Sequence, residues 1–157
     1  MEKLTDKQLF ALFERGNNFI RLGNLIAAFN DYDQVITHKP DFVPAYFNRG
    51  FARQHGKQDI PGAIADYTTA LTLKPDFVEA YANRAIAHQA TGDLARALAD
   101  YSAAIQLQPE YAPAYNNRAE LYFVQGDFAA ALADFQQAHL HRPGYRYAIA
   151  GDRKSVV

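Results

Sequence analysis

The sequence contains no cysteine and no tryptophan. Without thiols there is no disulfide, no thiolate nucleophile and no cysteine metal site, and the composition fits a reducing compartment. An excess of either charge is missing too: 16 basic residues stand against 17 acidic ones, a formal net charge of −1. That balance argues against general affinity for nucleic acid or for an anionic membrane. No apolar run approaches the ~18 residues of a membrane span. The opening MEKLTDKQLF lacks the apolar core of a signal peptide. No membrane insertion is expected, and the expectation is a soluble, cytoplasmic protein.

Catalytic signatures are also lacking. There is no Gly-rich phosphate loop, no HExxH and no nucleophile elbow. His139 and His141 are two apart, so on a helix they point about 200° apart and do not share an ion. His38, His55 and His88 are scattered without a companion pattern of carboxylates. The expectation is therefore not an enzyme, with no metal and no cofactor.

What the chain has in quantity is small and aromatic residues, with ten Tyr and eleven Phe, and they recur. Pro40, Pro75, Pro109 and Pro143 are spaced 35, 34 and 34. Asp31, Asp66, Asp100 and Asp134 repeat those intervals, and Arg15, Arg49, Arg84 and Arg118 are spaced 34, 35 and 34. The period is 34 with one extra residue between Arg49 and Asp66, most simply in HGKQDIPG. Fixed periods of this length mark stacked supersecondary units.

Each unit reads as helix, turn, helix. The copies span about 9–42, 43–77, 78–111 and 112–145, within a single domain of 1–157 that ends in a tail of 146–157. Thr5 and Gln8 form a candidate capping box. Gly23-Asn24, Gly92-Asp93 and Gly126-Asp127 supply turns and caps, and Asp59 caps the second helix of copy two. Gly16, Gly50, Ala85 and Ala119 are expected opposite Ala28, Ala63, Ala97 and Ala131, with Tyr32, Tyr67, Tyr101 and Phe135 filling the layer beside them. Polar His139 and His141 replace apolar residues at the end of copy four, as the last unit of a stack allows. The tail reads as a partial cap.

This unit resembles the tetratricopeptide repeat. It has 34 residues, small and aromatic residues at the family's spacing and a proline after the second helix, over residues 9–145. The position usually held by Trp is Leu12, Tyr46, Tyr81 and Tyr115. The resemblance implies an all-α fold: a right-handed α-solenoid, or superhelix, of four helix-turn-helix repeats with a short C-terminal cap. In such a fold the first helices line a concave groove that binds protein segments.

Three residue sets follow. The pairs Arg15–Asp31, Arg49–Asp66, Arg84–Asp100 and Arg118–Asp134 read as structural ion pairs within each repeat, against a basic stripe for acidic ligands. Asn48, Asn83 and Asn117 each precede an Arg and are expected on the groove face. An amide donates and accepts, so it suits a peptide backbone. The pattern is similar to the asparagine ladder in the repeats of O-linked N-acetylglucosamine transferases; the alternative is an amide bonded to its own helix or to water. Phe13, Phe47, Phe51, Ile86 and Phe123 are expected to offer apolar pockets in the groove, unless they pack on neighbouring helices.

Family members that clamp a chaperone's C-terminal carboxylate use Lys and Asn, then Asn, then Lys and Arg on three successive first helices. In register this chain has Phe13, Asn17, Asn48, Glu79 and Asn83, so all three cations are missing. That clamp is not expected. The expected function is a protein–protein interaction module or scaffold that binds an extended or short helical peptide segment. The alternative is a homo-oligomeric scaffold that self-associates by stacking its terminal repeats.

Overall fold

The computed structural model describes residues 4–143. Among them are eight α-helices and no strand: α1 (Asp6–Arg21), α2 (Leu25–His38), α3 (Val43–Ala52), α4 (Ile60–Leu73), α5 (Val78–Ala90), α6 (Leu94–Leu107), α7 (Ala112–Gln125) and α8 (Phe128–His141). Each helix packs on its neighbours in sequence, and α1 also touches α3. This is an α-solenoid of helix-turn-helix repeats. The tail of 146–157, read from sequence as a partial cap, lies outside the described residues.

Local chemistry explains the boundaries. Thr5 and Gln8 close a reciprocal capping box at the start of α1. Asn24, Asp59, Asp93 and Asp127 each accept a backbone N–H of the first turn of the helix they open. Gly23, Gly92 and Gly126 stand at φ +74°, +80° and +84°, the left-handed region that only glycine enters without steric cost. The second helices stop at His38, Leu73, Leu107 and His141, two residues before each proline.

The surplus residue of copy two takes a different form from the expected longer turn. It enters two residues before HGKQDIPG, as a π-helical turn over Arg53–Lys57 that continues α3. Gln58, at φ +55°, then holds the place that glycine holds in the other copies. The π-turn packs on α2. A Cβ built on Gly56 would lie 2.5 Å from Leu25 Cβ, and Lys57 Nζ sits 3.4 Å from the centre of the Phe29 ring. The insertion is therefore a piece of the joint between two repeats.

The core runs along the stack. Tyr32, Tyr67 and Tyr101 are wholly buried, as are Ala28, Ala63 and Ala97. Removing a side chain of this size from water contributes on the order of 2–3 kcal/mol. The expected face-to-face pairing of small residues needs correction. A Cβ on Gly16 would meet Tyr32 Cε1 at 2.6 Å, and one on Gly50 would meet Tyr67 Cε1 at 2.8 Å. The first helices are small at these positions to admit the ring of the second helix.

Candidate functional site

The arginines reach across from α1, α3, α5 and α7. Arg15 Nε and Nη2 donate to Asp31 at 2.8 and 2.7 Å, and Arg49 donates to Asp66 at 3.0 and 2.6 Å. Arg84 holds Asp100 at 2.8 and 2.8 Å, and Arg118 holds Asp134 at 2.6 and 2.8 Å. All four carboxylates are buried. The remaining nitrogen, Nη1, bonds the preceding repeat: Arg49 to Asp33 at 2.7 Å, Arg84 to Thr68 at 3.1 Å and Arg118 to Ser102 at 2.9 Å. Tyr46, Tyr81 and Tyr115 lie beside the same three guanidinium groups at 5.6–5.8 Å. Hydrogen bonds donated to Asp100 and Asp134 raise the pKa of Arg84 and Arg118 against the opposing effect of burial. Arg49, Arg84 and Arg118 are engaged on several sides, and the four arginines present no open basic stripe.

Sequence reasoning missed one member of this set. Arg53 Nε approaches Asp66 Oδ2 at 3.3 Å, so that carboxylate faces two arginines. His88 stands four residues after Arg84 as Arg53 does after Arg49, and its Nε2 lies 3.9 Å from Asp100 Oδ2. The constant offset from Arg49 and Arg84 was the available signal.

The asparagines are less exposed than a simple ladder requires. Asn48 Nδ2 donates to Asn17 Oδ1 at 2.9 Å, and the Tyr32 hydroxyl donates to the same oxygen at 2.9 Å. The Tyr101 hydroxyl donates to Gln89 Oε1 at 3.4 Å and the Tyr67 hydroxyl to Gln54 Oε1 at 3.2 Å, each within its own repeat. Asn83 Nδ2 donates to the Glu79 carbonyl at 2.9 Å within its own helix. Asn48 thus ties α3 to α1 of the repeat before it and, through Asn17, to the Tyr32 hydroxyl. Burial pushes the Tyr32 hydroxyl up to about 12, so it remains a donor throughout the physiological range.

The aromatic set divides. Phe13 packs edge-on against Phe42 at 5.0 Å and beside Tyr32, and Phe47 packs against Phe77 at 4.8 Å and beside Tyr67. Ile86 is packed on the cluster around Tyr101. These three were expected as groove pockets, and the structure makes them mainly joint residues. Their partners, Phe42 and Phe77, are the wedges that follow the helix-ending prolines. Phe123 meets Phe128 across the α7–α8 turn at 5.3 Å and is exposed. Phe51 is half-buried against the His55 ring at 4.4 Å.

One cleft brings predicted residues together. Between α1 and α3 lies a hollow of about 400 Å3 lined by Phe47, Asn48 and Phe51 from one helix and Glu14, Asn17, Ile20 and Arg21 from the other. Asn17 and Asn48, bonded to each other, line it together with Ile20 and Phe51. The arrangement offers amides for main-chain groups beside apolar surface for a side chain. Asn83, Asn117 and Phe123 do not line it. Among the described residues, no three His, Cys, Asp or Glu stand close enough to share a metal ion, and no helix is long and apolar enough to cross a membrane.

Family models and solved structures match the chain in its repeats and its fold. A family model described as tetratricopeptide repeat matches 112–145, and a second, described as TPR repeat, matches 55–92 and 90–126; together they span 55–145. No curated protein matches the chain in sequence. Among solved structures, the crystal structure of MamA superposes with a TM-score of 0.80 at 20% identity, over 85% of this chain and 77% of that one. The first TPR of Spaghetti (RPAP3), bound to the HSP90 peptide SRMEEVD, superposes at 0.74 and 22% identity, over 80% and 99%. A tetratricopeptide repeat protein from Parabacteroides merdae gives 0.77 at 22% identity, over 87% and 54%. At these identities the likeness is one of fold.

Proposed function

The chain belongs to the tetratricopeptide repeat family, and on that premise we propose that it is a protein-interaction module whose working surface is the cleft between α1 and α3. The observation that carries this reading is the meeting of Ile20, Phe51, Asn17 and Asn48 around one hollow of peptide size. An extended or short helical segment would place one apolar side chain between Ile20 and Phe51. Its main-chain groups would meet the amides of Asn17 and Asn48, and further along the stack those of Asn83 and Asn117. The module acts as an adaptor or scaffold through what it recruits, without chemistry of its own, in the cytoplasm. The partner is a protein segment, not nucleic acid.

The TPR domain of Spaghetti was solved with a peptide in place, which supports a peptide ligand for this fold. The ligand proposed here differs in charge. Glu14 lines the cleft, and the cations of a carboxylate clamp are replaced by Phe13, Glu79 and Asn83. A segment ending in acidic residues would meet Phe13, Glu79 and Asn83 where it needs cations, with Glu14 beside the cleft.

The test is selection of peptides from a display library on the purified chain, followed by affinity measurement on Phe51→Ala and Asn83→Ala. Selected peptides are expected to weaken at least about tenfold on Phe51→Ala, the loss of a central anchor. Unchanged affinity on the double variant overturns the reading. A second reading is self-association through the terminal repeats. It is favoured by Phe128 and Leu132 on α8, which are 62% and 60% exposed.

A further inference from the structure

The three joints between successive repeats are built alike, and each has two halves. The second helix of the earlier repeat presents an apolar residue and an acceptor. At the first joint Phe29 lies under Lys57 and Arg53. At the second, Ile64 packs against the cluster containing Ala87; at the third, Leu98 packs against the cluster containing Ala114 and Leu121. The acceptors are Asp33, Thr68 and Ser102, and the first helix of the later repeat brings the donor, Nη1 of Arg49, Arg84 or Arg118.

The period carries both halves to the ends of the stack. One repeat beyond Leu98 and Ser102 stand Leu132 and Gln136 on α8, both exposed. One repeat before Arg49 and Ala45 stand Arg15 and Ala11 on α1. Ala45 is wholly buried in its joint, whereas Ala11 is exposed. Arg15 binds Asp31 through Nε and Nη2, its side chain is 57% exposed, and among the described residues no acceptor meets its Nη1. Around it lies an open hollow of about 440 Å3 that includes Leu4, Ala11 and Leu12. One end of the molecule is thus the acceptor half of a joint and the other end is the donor half.

We propose that copies of this chain stack head to tail, with α8 of one copy lying on α1 of the next in the register of the internal joints. The proposal rests on the self-association reading and specifies its geometry. Leu132 enters the hollow beside Ala11 of the next copy. Gln136 offers its side-chain oxygen to Arg15 of that copy, as Ser102 does to Arg118 within the chain. The joint is heterologous, so nothing closes it, and the assembly grows in one direction with concentration. It is weaker than the internal joints. Asn18 stands where they have Ala52, Ala87 and Leu121, and no covalent link holds the two units together.

The test is sedimentation velocity of the full chain over a concentration series, with two variants at exposed positions. Ala11→Glu blocks the head and Leu132→Glu blocks the tail; thermal melts establish that both are folded. The average mass of the parent is expected to rise with concentration, and each variant alone is expected to associate at least about tenfold more weakly, because an ionised carboxylate is desolvated in the apolar half of the joint and, at position 11, fills the space that Leu132 enters. An equimolar mixture of the two variants is expected to form a dimer and nothing larger, since only one competent head and one competent tail remain. Association that neither variant reduces overturns this register while leaving self-association standing. A parent that stays monomeric at every concentration overturns both. If truncation after residue 143 then restores association, the chain's own last residues are the occupant of the α8 face.

Discussion

Arg49 Nη1 donates to Asp33 Oδ1 at 2.7 Å, across the joint between the first and second repeats. The same guanidinium holds Asp66 through its other two nitrogens. One side chain therefore fastens a repeat internally and to its predecessor. Its side chain is 12% exposed, against 57% for Arg15, which has no predecessor. Arg49→Ala leaves the buried Asp66 carboxylate with Arg53 alone, at 3.3 Å, and removes the link to Asp33; it is expected to cost about 3 kcal/mol, the low end for a broken buried pair. Arg15→Ala opens its site to water and is expected to cost about 1–2 kcal/mol, the scale of a charged hydrogen bond. Urea unfolding of the two variants measures the difference, and equal losses would mean that the link to Asp33 contributes nothing.

Thr68 and Ser102 occupy the place of Asp33 at the second and third joints, but with neutral oxygens. Thr68 also lies near Arg96 and His88 in an open hollow. A carboxylate at position 68 faces the Arg84 guanidinium at the surface. Thr68→Asp is expected to stabilise the chain by about 0.2–1 kcal/mol at low salt, with the gain shrinking as salt rises. Asp33→Thr is expected to lose a similar amount. Denaturation midpoints at two ionic strengths read both effects.

The repeat count, the caps and the ion-pair partners were legible because each depends on spacing within one unit. Arg15 and Asp31 need only an offset of 16 residues and two helices. The division of the aromatics was not legible. Phe13 and Phe51 look alike as ring-bearing residues on first helices. Phe13 and Phe47 share one repeat position and meet Phe42 and Phe77, whereas Phe51 holds the position of Asn17, and which way each position faces became visible only once the helices were packed. The extra residue of copy two was visible as a count, but its form was not. Whether a surplus residue loops out or winds into the helix depends on whether Gly56 and Lys57 find a surface, and that surface belongs to α2. The asparagines fall between these cases: the series was countable, but only the packed helices show that Asn48 bonds Asn17 of the repeat before while Asn83 bonds its own helix.

The π-turn makes two opposite predictions a few residues apart. Gly56→Ala sets a methyl carbon 2.5 Å from Leu25 Cβ. Neither atom is the far end of a flexible side chain, so backbone must move, at an expected cost of about 1–3 kcal/mol. Gln58 holds φ +55° where the other copies have glycine. Gln58→Gly removes the clash of a Cβ in that region, partly offset by a more flexible unfolded chain, and is expected to stabilise by about 0.5–1 kcal/mol. Opposite shifts of the thermal midpoint are the result to look for. A neutral Gly56→Ala would show that the π-turn does not bear on α2.

Acid should weaken the fold through His88, which is buried, and to a smaller extent through His55. His88 lies in the joint near Asp100, Asp93, Arg84 and Arg96, and burial pushes its pKa below the ordinary value of 6.5. Burial does the same to His55 beside Phe51. As pH falls through about 6.5 the unfolded chain takes up these protons and the native chain does not, so stability is lost. Glu120 acts in the opposite sense. Burial raises its pKa, so the native chain takes up that proton first and gains stability as pH falls. Three curves of urea midpoint against pH, from about 7.5 to about 5, separate these effects by sign. The parent is expected to weaken with acid, His88→Gln to weaken less, and Glu120→Gln to weaken more steeply. If His88→Gln left the acid slope unchanged, the imidazole in the joint would have to be reached by water and protons in the folded state.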